Sequence, residues 1–216
     1  MNNPLNKLCI PGLISFLLIT TGCSLPVSLK YSPIASAETI TSSSPPPRIF
    51  VVKFTDNRTK KDSIGKMNNA FGMKVKNLVT ADDVGLLLSE ATTDALRKSG
   101  LQAEQHTDRL TGEELPTEEV MQFDYIIGGR ITDIEVLSQP GFSTLTASTR
   151  LVVDLLVCRM KPEFKCEWVG PIDGSSERKF LQTYSLSTEL TECTDKAIQN
   201  CMRNAIRHLK ASGLLQ

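Results

Sequence analysis

Histidine is almost missing from this chain: His106 and His208 are the only two, about a hundred residues apart. Neither has a Cys, Asp or Glu partner at a metal-ligand spacing, so both read as solvated side chains and no metal site is implied. There is no Cys-x-x-Cys, which argues against thiol redox catalysis. A phosphate loop is absent too. Gly128, Gly129 and Arg130 lack its glycine and lysine spacing and fall inside a strand-like run, where packing is their expected role. Nor does charge of one sign dominate: 24 Lys and Arg balance 24 Asp and Glu. Nucleic acid binding calls for a basic face, so no nucleic acid partner is expected. No cofactor is implied, and no catalytic constellation stands out.

What is present begins at the amino terminus. Lys7 is followed by an almost uncharged stretch, residues 8–21, too short to span a bilayer comfortably. It narrows to Thr20, Thr21 and Gly22 before Cys23, in the layout of a secretory signal. These residues resemble the bacterial lipobox, although Thr20 stands where most lipoboxes carry Leu. The resemblance implies a signal peptide over residues 1–22. It also implies diacylglycerol on the Cys23 thiol, cleavage before Cys23, and acylation of the new amino terminus. Two or three acyl chains anchor firmly where one is marginal, at roughly 0.8 kcal/mol per buried methylene. With Ser24 rather than Asp after the cysteine, the resemblance favours the outer membrane, with the domain facing the periplasm. Removing residues 1–23 leaves 23 basic against 24 acidic side chains. The anchor alone is therefore expected to hold the protein to lipid.

Residues 23–47 are rich in Ser and Pro and show no period, which predicts a disordered tether with an end-to-end distance of roughly 25 to 30 Å. Residues 48–216 are of a size for one domain. A β-branched and aromatic strand is expected over residues 48–54, then a long polar loop to Gly72. An amphipathic helix follows, opening on Thr80 and Asp83 in the manner of a capping box and closing at Gly100. Residues 123–137 and 144–158 alternate as long strands joined by the turn Ser-Gln-Pro-Gly-Phe-Ser. In the second of these, Leu145, Ala147, Leu151, Val153, Leu155 and Val157 share one face, and Thr146, Ser148, Arg150 and Asp154 share a wet one. "CEWVG", a turn at "PIDG" and "SERKFLQTYSL" predict a further hairpin, and residues 189–211 a closing helix. This order predicts an α/β two-layer sandwich, a mixed but largely antiparallel sheet with helices on one face.

The segments "VVKFTDNRTKKDSIGKMNN" and "DDVGLLLSEATTDALRKSGLQA" resemble the YajG-type family of bacterial lipoproteins. The wider layout, with "FDYIIGGRI" and a terminal helix, is similar to the curli-secretion and penicillin-binding-protein-activator lipoprotein families. The resemblance implies an envelope location and a fold, and it brings no reaction with it.

Two functional expectations follow. In the first, the protein is a non-enzymatic envelope lipoprotein of auxiliary or assembly type. It binds other envelope proteins through exposed sheet edges and the loop after the first strand, where Asp56, Asn57 and Arg58 are the candidate contacts. Turn chemistry explains the same three residues without a partner. In the second, the domain binds a small ligand or glycan, with hydrolysis as a further option, and Asp56, Asp133 and Glu135 are its acids; Asp133 and Glu135 share a strand face. Beyond Cys9 and Cys23, four cysteines suit an oxidising compartment: Cys158, Cys166, Cys193 and Cys201. Cys158 and Cys166 flank a hairpin-like end and are natural partners. Cys193 and Cys201 are harder to join. Eight helical residues span about 12 Å, beyond the roughly 7 Å reach of a disulfide. Either Cys193 precedes the helix on a chain that folds back, or the helix is stapled to the hairpin by crossed pairs.

Overall fold

Alternating apolar and polar residues dominate the chain from Arg48 onward and supply eight of the nine strands that, among the described residues, form one mixed sheet; the ninth is residues 24–26. The computed structural model describes residues 24–40, 45–106 and 118–215. The signal segment, Cys23 and the acidic stretch at 107–117 lie outside the described residues. In chain order the elements are β1 (Ser24–Pro26), β2 (Arg48–Val51), β3 (Thr55–Asp56), β4 (Gly65–Asn68), β5 (Lys74–Val79), α1 (Val84–Lys98) and β6 (Gln102–Gln105). They continue with α2 (Glu118–Met121), β7 (Tyr125–Pro140), β8 (Thr144–Arg159), β9 (Lys165–Leu181) and α3 (Leu186–Ser212).

The spine of the sheet is β7. Along one flank it takes β2, β3 and β4 in succession, all parallel, with Ile49 opposite Tyr125, Thr55 opposite Arg130 and Gly65 opposite Val136. Its other flank pairs antiparallel with β8 from end to end, and β8 pairs the same way with β9. Outside β2 lies parallel β6, while β5 runs antiparallel to β4 and carries β1 in parallel. The sheet is therefore mixed: most of its strand pairings are parallel, but the long antiparallel ladders of β7, β8 and β9 hold most of its paired residues. Helices α1 and α3 bury their apolar stripes, among them Leu88, Ala91, Ala95, Ile198, Cys201 and Ala205, against one face of it. At Gly174 of β9 the helix comes so near that a Cβ would sit 2.3 Å from the carbonyl oxygen of Ala197. Gly128 and Gly129 are packing glycines: a Cβ on either would lie 2.5 Å from the Val52 or Phe54 side chain.

Several details differ from the sequence expectation. Helix α1 starts at Val84 with Asp83 itself as the cap, accepting from the Leu86 N–H at 3.0 Å, while Thr80 bonds Asp82. No hairpin forms at "PIDG". Instead β9 runs unbroken for 17 residues, and Gly170 and Pro171 form a bulge opposite Asp154. Proline fits because β9 is an edge strand, where its missing N–H interrupts no ladder. Cys158 and Cys166 are bonded across the β8–β9 ladder. Crossed pairs do not form, because Cys193 and Cys201 both lie within α3 and face the sheet as buried free thiols. Burial pushes the Cys201 thiol up to about 12.

The largest correction concerns the expected tether. Residues 24–40 form a strap across the outer side of the two helices. After β1, the Leu29 N–H donates to Asp82 at 2.6 Å, Thr191 donates to the Ser28 carbonyl at 2.8 Å and the Tyr31 hydroxyl donates to Asp94 at 2.7 Å. Asp195 accepts from the Ser32 N–H at 2.7 Å, and Arg207 reaches Glu38 at 2.9 Å. Val27, Leu29, Ile34 and Ile40 are buried beneath the strap. Serine and proline flag irregular backbone, yet these four apolar residues find a surface to cover, and that decides the outcome.

Candidate functional site

The loop between β3 and β4 begins with the Asp56-Asn57-Arg58 step. The Arg58 guanidinium forks onto Asp56, with Nε to Oδ1 at 2.9 Å and Nη2 to Oδ2 at 2.8 Å, and its Nη1 donates to the Ser63 carbonyl at 3.1 Å. The side chain is buried, so its donors close the loop and are not offered to a partner. Its hydrogen bonds hold the Asp56 carboxyl below the usual carboxylate range. Asn57 is exposed, and its N–H joins the β7 ladder at Ile131. Turn chemistry thus accounts for the geometry of all three.

Beside this loop, an open cleft of about 660 Å³ runs between the β4–β5 hairpin and β7. It brings Asp133 and Glu135 together with Arg58, Lys60 and Lys66, while Asp56 stays outside its lining. Both acids face cations: Glu135 lies 3.3 Å from Lys66 and Asp133 lies 3.9 Å from Arg150. A general acid needs a carboxyl whose pKa is raised by burial. These two stand at an open surface, and Asp56 is shifted the other way.

The helix-free face of the sheet, which Asp133, Glu135 and Arg150 share, carries further along the feature that sequence reading missed. Arg130, Asp154, Leu156 and Trp168 project from neighbouring strands on the side away from α1 and α3. Trp168 is 53% exposed. Arg130 lies over its ring at 4.5 Å and donates from Nε to Asp154 at 2.8 Å. Behind Leu156, a small apolar cluster of Phe50, Val52, Phe123 and Ile126 covers this face, with His106 stacked on Phe50 at 4.0 Å. The bridge from Cys158 to Cys166 pins the adjacent hairpin end. One signal was available: the wet alternation of β8 marks this face as open. Reading Trp168 as part of a hairpin arm hid that it shares the face.

The free edge of β9 is a poor docking edge. It carries Pro171 together with Lys165 and Lys179, devices that discourage strand addition. Among the described residues no cluster of His, Cys, Asp and Glu is arranged to hold a metal, and His208 is exposed on α3. Among them, too, no helix is long and apolar enough to cross a membrane.

No family model matches the chain, and no curated protein matches it. Solved structures do. A Xanthomonas campestris protein of family DUF330 is 12% identical, covering 88% of this chain and 98% of its own, with a TM-score of 0.46. A neuraminyllactose-binding hemagglutinin homolog from Helicobacter pylori is 9% identical, with coverage of 85% and 91% and a TM-score of 0.35. Lipoprotein GNA1162 from Neisseria meningitidis is 13% identical, with coverage of 68% and 92% and a TM-score of 0.30. These likenesses do not reach the YajG-type family specifically, and they carry no function with them.

Proposed function

We propose that this protein is a non-enzymatic, lipid-anchored component of the bacterial outer membrane, facing the periplasm. In this reading it binds another envelope protein through the sheet face around Trp168. Acylation of Cys23, as the lipobox resemblance implies, supplies the anchor. The observation that carries the binding reading is the half-exposed Trp168 with Arg130 laid over its ring beside a small apolar cluster. Tryptophan and arginine are the residues most enriched among binding hot spots, where an aromatic anchor is desolvated and a guanidinium orients the contact. The occupied ring face also disfavours stacking of a sugar, and the acids near β7 are spent on Lys66 and Arg150.

A photo-crosslinking residue placed at position 168 in intact cells tests this reading, with position 58 as the internal reference. Adducts with envelope proteins are expected at 168 and not at 58. Equal capture at both positions, or none at 168, would overturn the face assignment. Metabolic labelling with a fatty acid tests the anchor: Cys23→Ser is expected to abolish the label, and an unchanged label would sink the acylation.

A further inference from the structure

Three turns converge on one end of the sheet. The β4–β5 turn presents Phe71 and Met73, the β7–β8 turn presents Phe142, and the chain leaving β9 presents Leu181 and Tyr184. The registers put them at one level: β4 runs parallel to β7 with Met67 opposite Ser138, and Leu181 lies opposite Thr144. Gln182 touches the Gly141 carbonyl across the gap. Phe71 is 87% exposed and Phe142 fully so. The turns read "NAFGMK", "QPGFST" and "LQTYSL" and contain no acidic residue. Lys74 and Lys179 flank them and, among the described residues, make no ion pair. Apolar tips rimmed by long cationic side chains are the composition of a membrane-interface contact, with the lysine stems reaching back to the headgroups.

The start of the described chain points to the same end. Ser24 is opposite Asn77, and β1 runs parallel to β5, so the chain reaches Ser24 from the side of the β4–β5 turn. Ser24 therefore lies about three residues, or roughly 10 Å at about 3.3 Å per residue, along the strand from that turn, and Cys23 directly precedes it in the sequence. No spacer separates the lipid attachment from the sheet.

We infer that this end of the sheet rests in the surface of a lipid bilayer, with Phe71, Met73, Phe142, Leu181 and Tyr184 among the headgroups and upper acyl chains beside the lipidated Cys23. The inference rests on acylation of Cys23. The acyl chains hold the protein to the membrane, and the five side chains fix which end faces it.

The test uses the full mature protein extracted from membranes and reconstituted in vesicles with lipids brominated near the headgroup. The Phe142→Trp, Trp168→Phe protein is expected to emit at shorter wavelength and to be quenched by bromine. The unaltered protein, whose Trp168 lies far up the sheet, is expected to be unquenched. Phe142 is fully exposed, and Phe71→Trp in the same background repeats the measurement at a second turn. Unquenched emission at both turns in fatty-acid-labelled protein overturns the docking alone and leaves the anchor standing. A blue shift that grows with protein concentration and ignores bromine indicates a second copy of the chain on this end, and overturns it equally. Absence of the fatty-acid label overturns the anchor reading and the docking with it.

Discussion

Ile34→Ala separates a packed strap from a flexible tether. Ile34 is fully buried, within the core cluster that includes both helices, and its carbonyl accepts from Lys98 of α1. Truncating a buried Ile to Ala costs about 2 to 5 kcal/mol, the spread reflecting how far the surroundings collapse. For a domain of this size, 1 kcal/mol moves the melting temperature by about 2 to 4 °C, so a central loss near 3 kcal/mol predicts a fall of about 10 °C. If the strap opens before the domain unfolds, the loss appears first as local detachment. Exchange of the Ile40 amide, which donates to the Ser99 carbonyl at 3.0 Å, then reports it. Thermal melting and amide exchange are measured on the unaltered protein, on Ile34→Ala and on Ser36→Ala, whose side chain is exposed. A melt and an Ile40 exchange rate for Ile34→Ala indistinguishable from Ser36→Ala would refute the packed strap.

Arg58→Lys keeps the charge but loses two of the three side-chain hydrogen bonds, so a loss of about 3 to 6 kcal/mol in urea unfolding is expected at about 1.5 to 3 kcal/mol per charged bond. Because the Asp56 pKa is lowered in the fold, this stability is present above the ordinary carboxylate pKa near about 3.9 and fades only as pH falls below it. A difference between the two proteins that disappears already at neutral pH would contradict the pairing. Two thiols, from Cys193 and Cys201, are expected to react when the mature acylated protein is unfolded without reductant, and none in the folded state; four reactive thiols would rule the bridge out. Reducing the Cys158–Cys166 bridge, which closes a sequence separation of 8, is expected to cost about 2.5 kcal/mol in the chain-entropy treatment. Gly174→Ala puts a methyl into the backbone of α3 and is expected to cost at least about 1 to 3 kcal/mol, visible as a lowered melt.

The long strands were legible because period-two alternation carries its own orientation. Ala147, Leu151, Val153, Leu155 and Val157 face the helices as the pattern requires. Helices α1 and α3 were legible for the corresponding reason at period 3.6. Two judgements failed because they depended on what lay opposite a segment. "PIDG" has the residues of a turn, but a bulge on an edge strand uses glycine and proline just as well. "SLPVSLKYSPIASAETI" has the composition of a linker, and only the exposed backs of α1 and α3 give its scattered Val, Leu and Ile something to cover. The candidate site shows the same division. Asp56, Asn57 and Arg58 read as candidate contacts, yet the guanidinium fork of Arg58 is taken by Asp56, two residues away. Trp168 could be placed on a face only once its register with Leu156 was known.

The strap changes how reach is controlled under the proposed orientation. A coil of 24 residues spreads its far end over distances of roughly 25 to 30 Å, so a partner would meet the domain at many heights above the membrane. With β1 fixed to β5, height is set by the sheet instead. From Pro140, beside the membrane-facing turn, back along β7 to Gly128, level with Leu156 and Trp168, is 12 residues. At about 3.3 Å per residue that places the Trp168 face up to roughly 40 Å from the lipid surface. Three strands bonded across their whole lengths do not bend as a coil does, so the face is presented at one height and in one direction. A partner held at a matching height then meets it at an effective concentration that a floppy tether of the same span dilutes. The two closures fall where such a spacer needs them: the strap at the anchored end and the Cys158–Cys166 bridge beside the binding face.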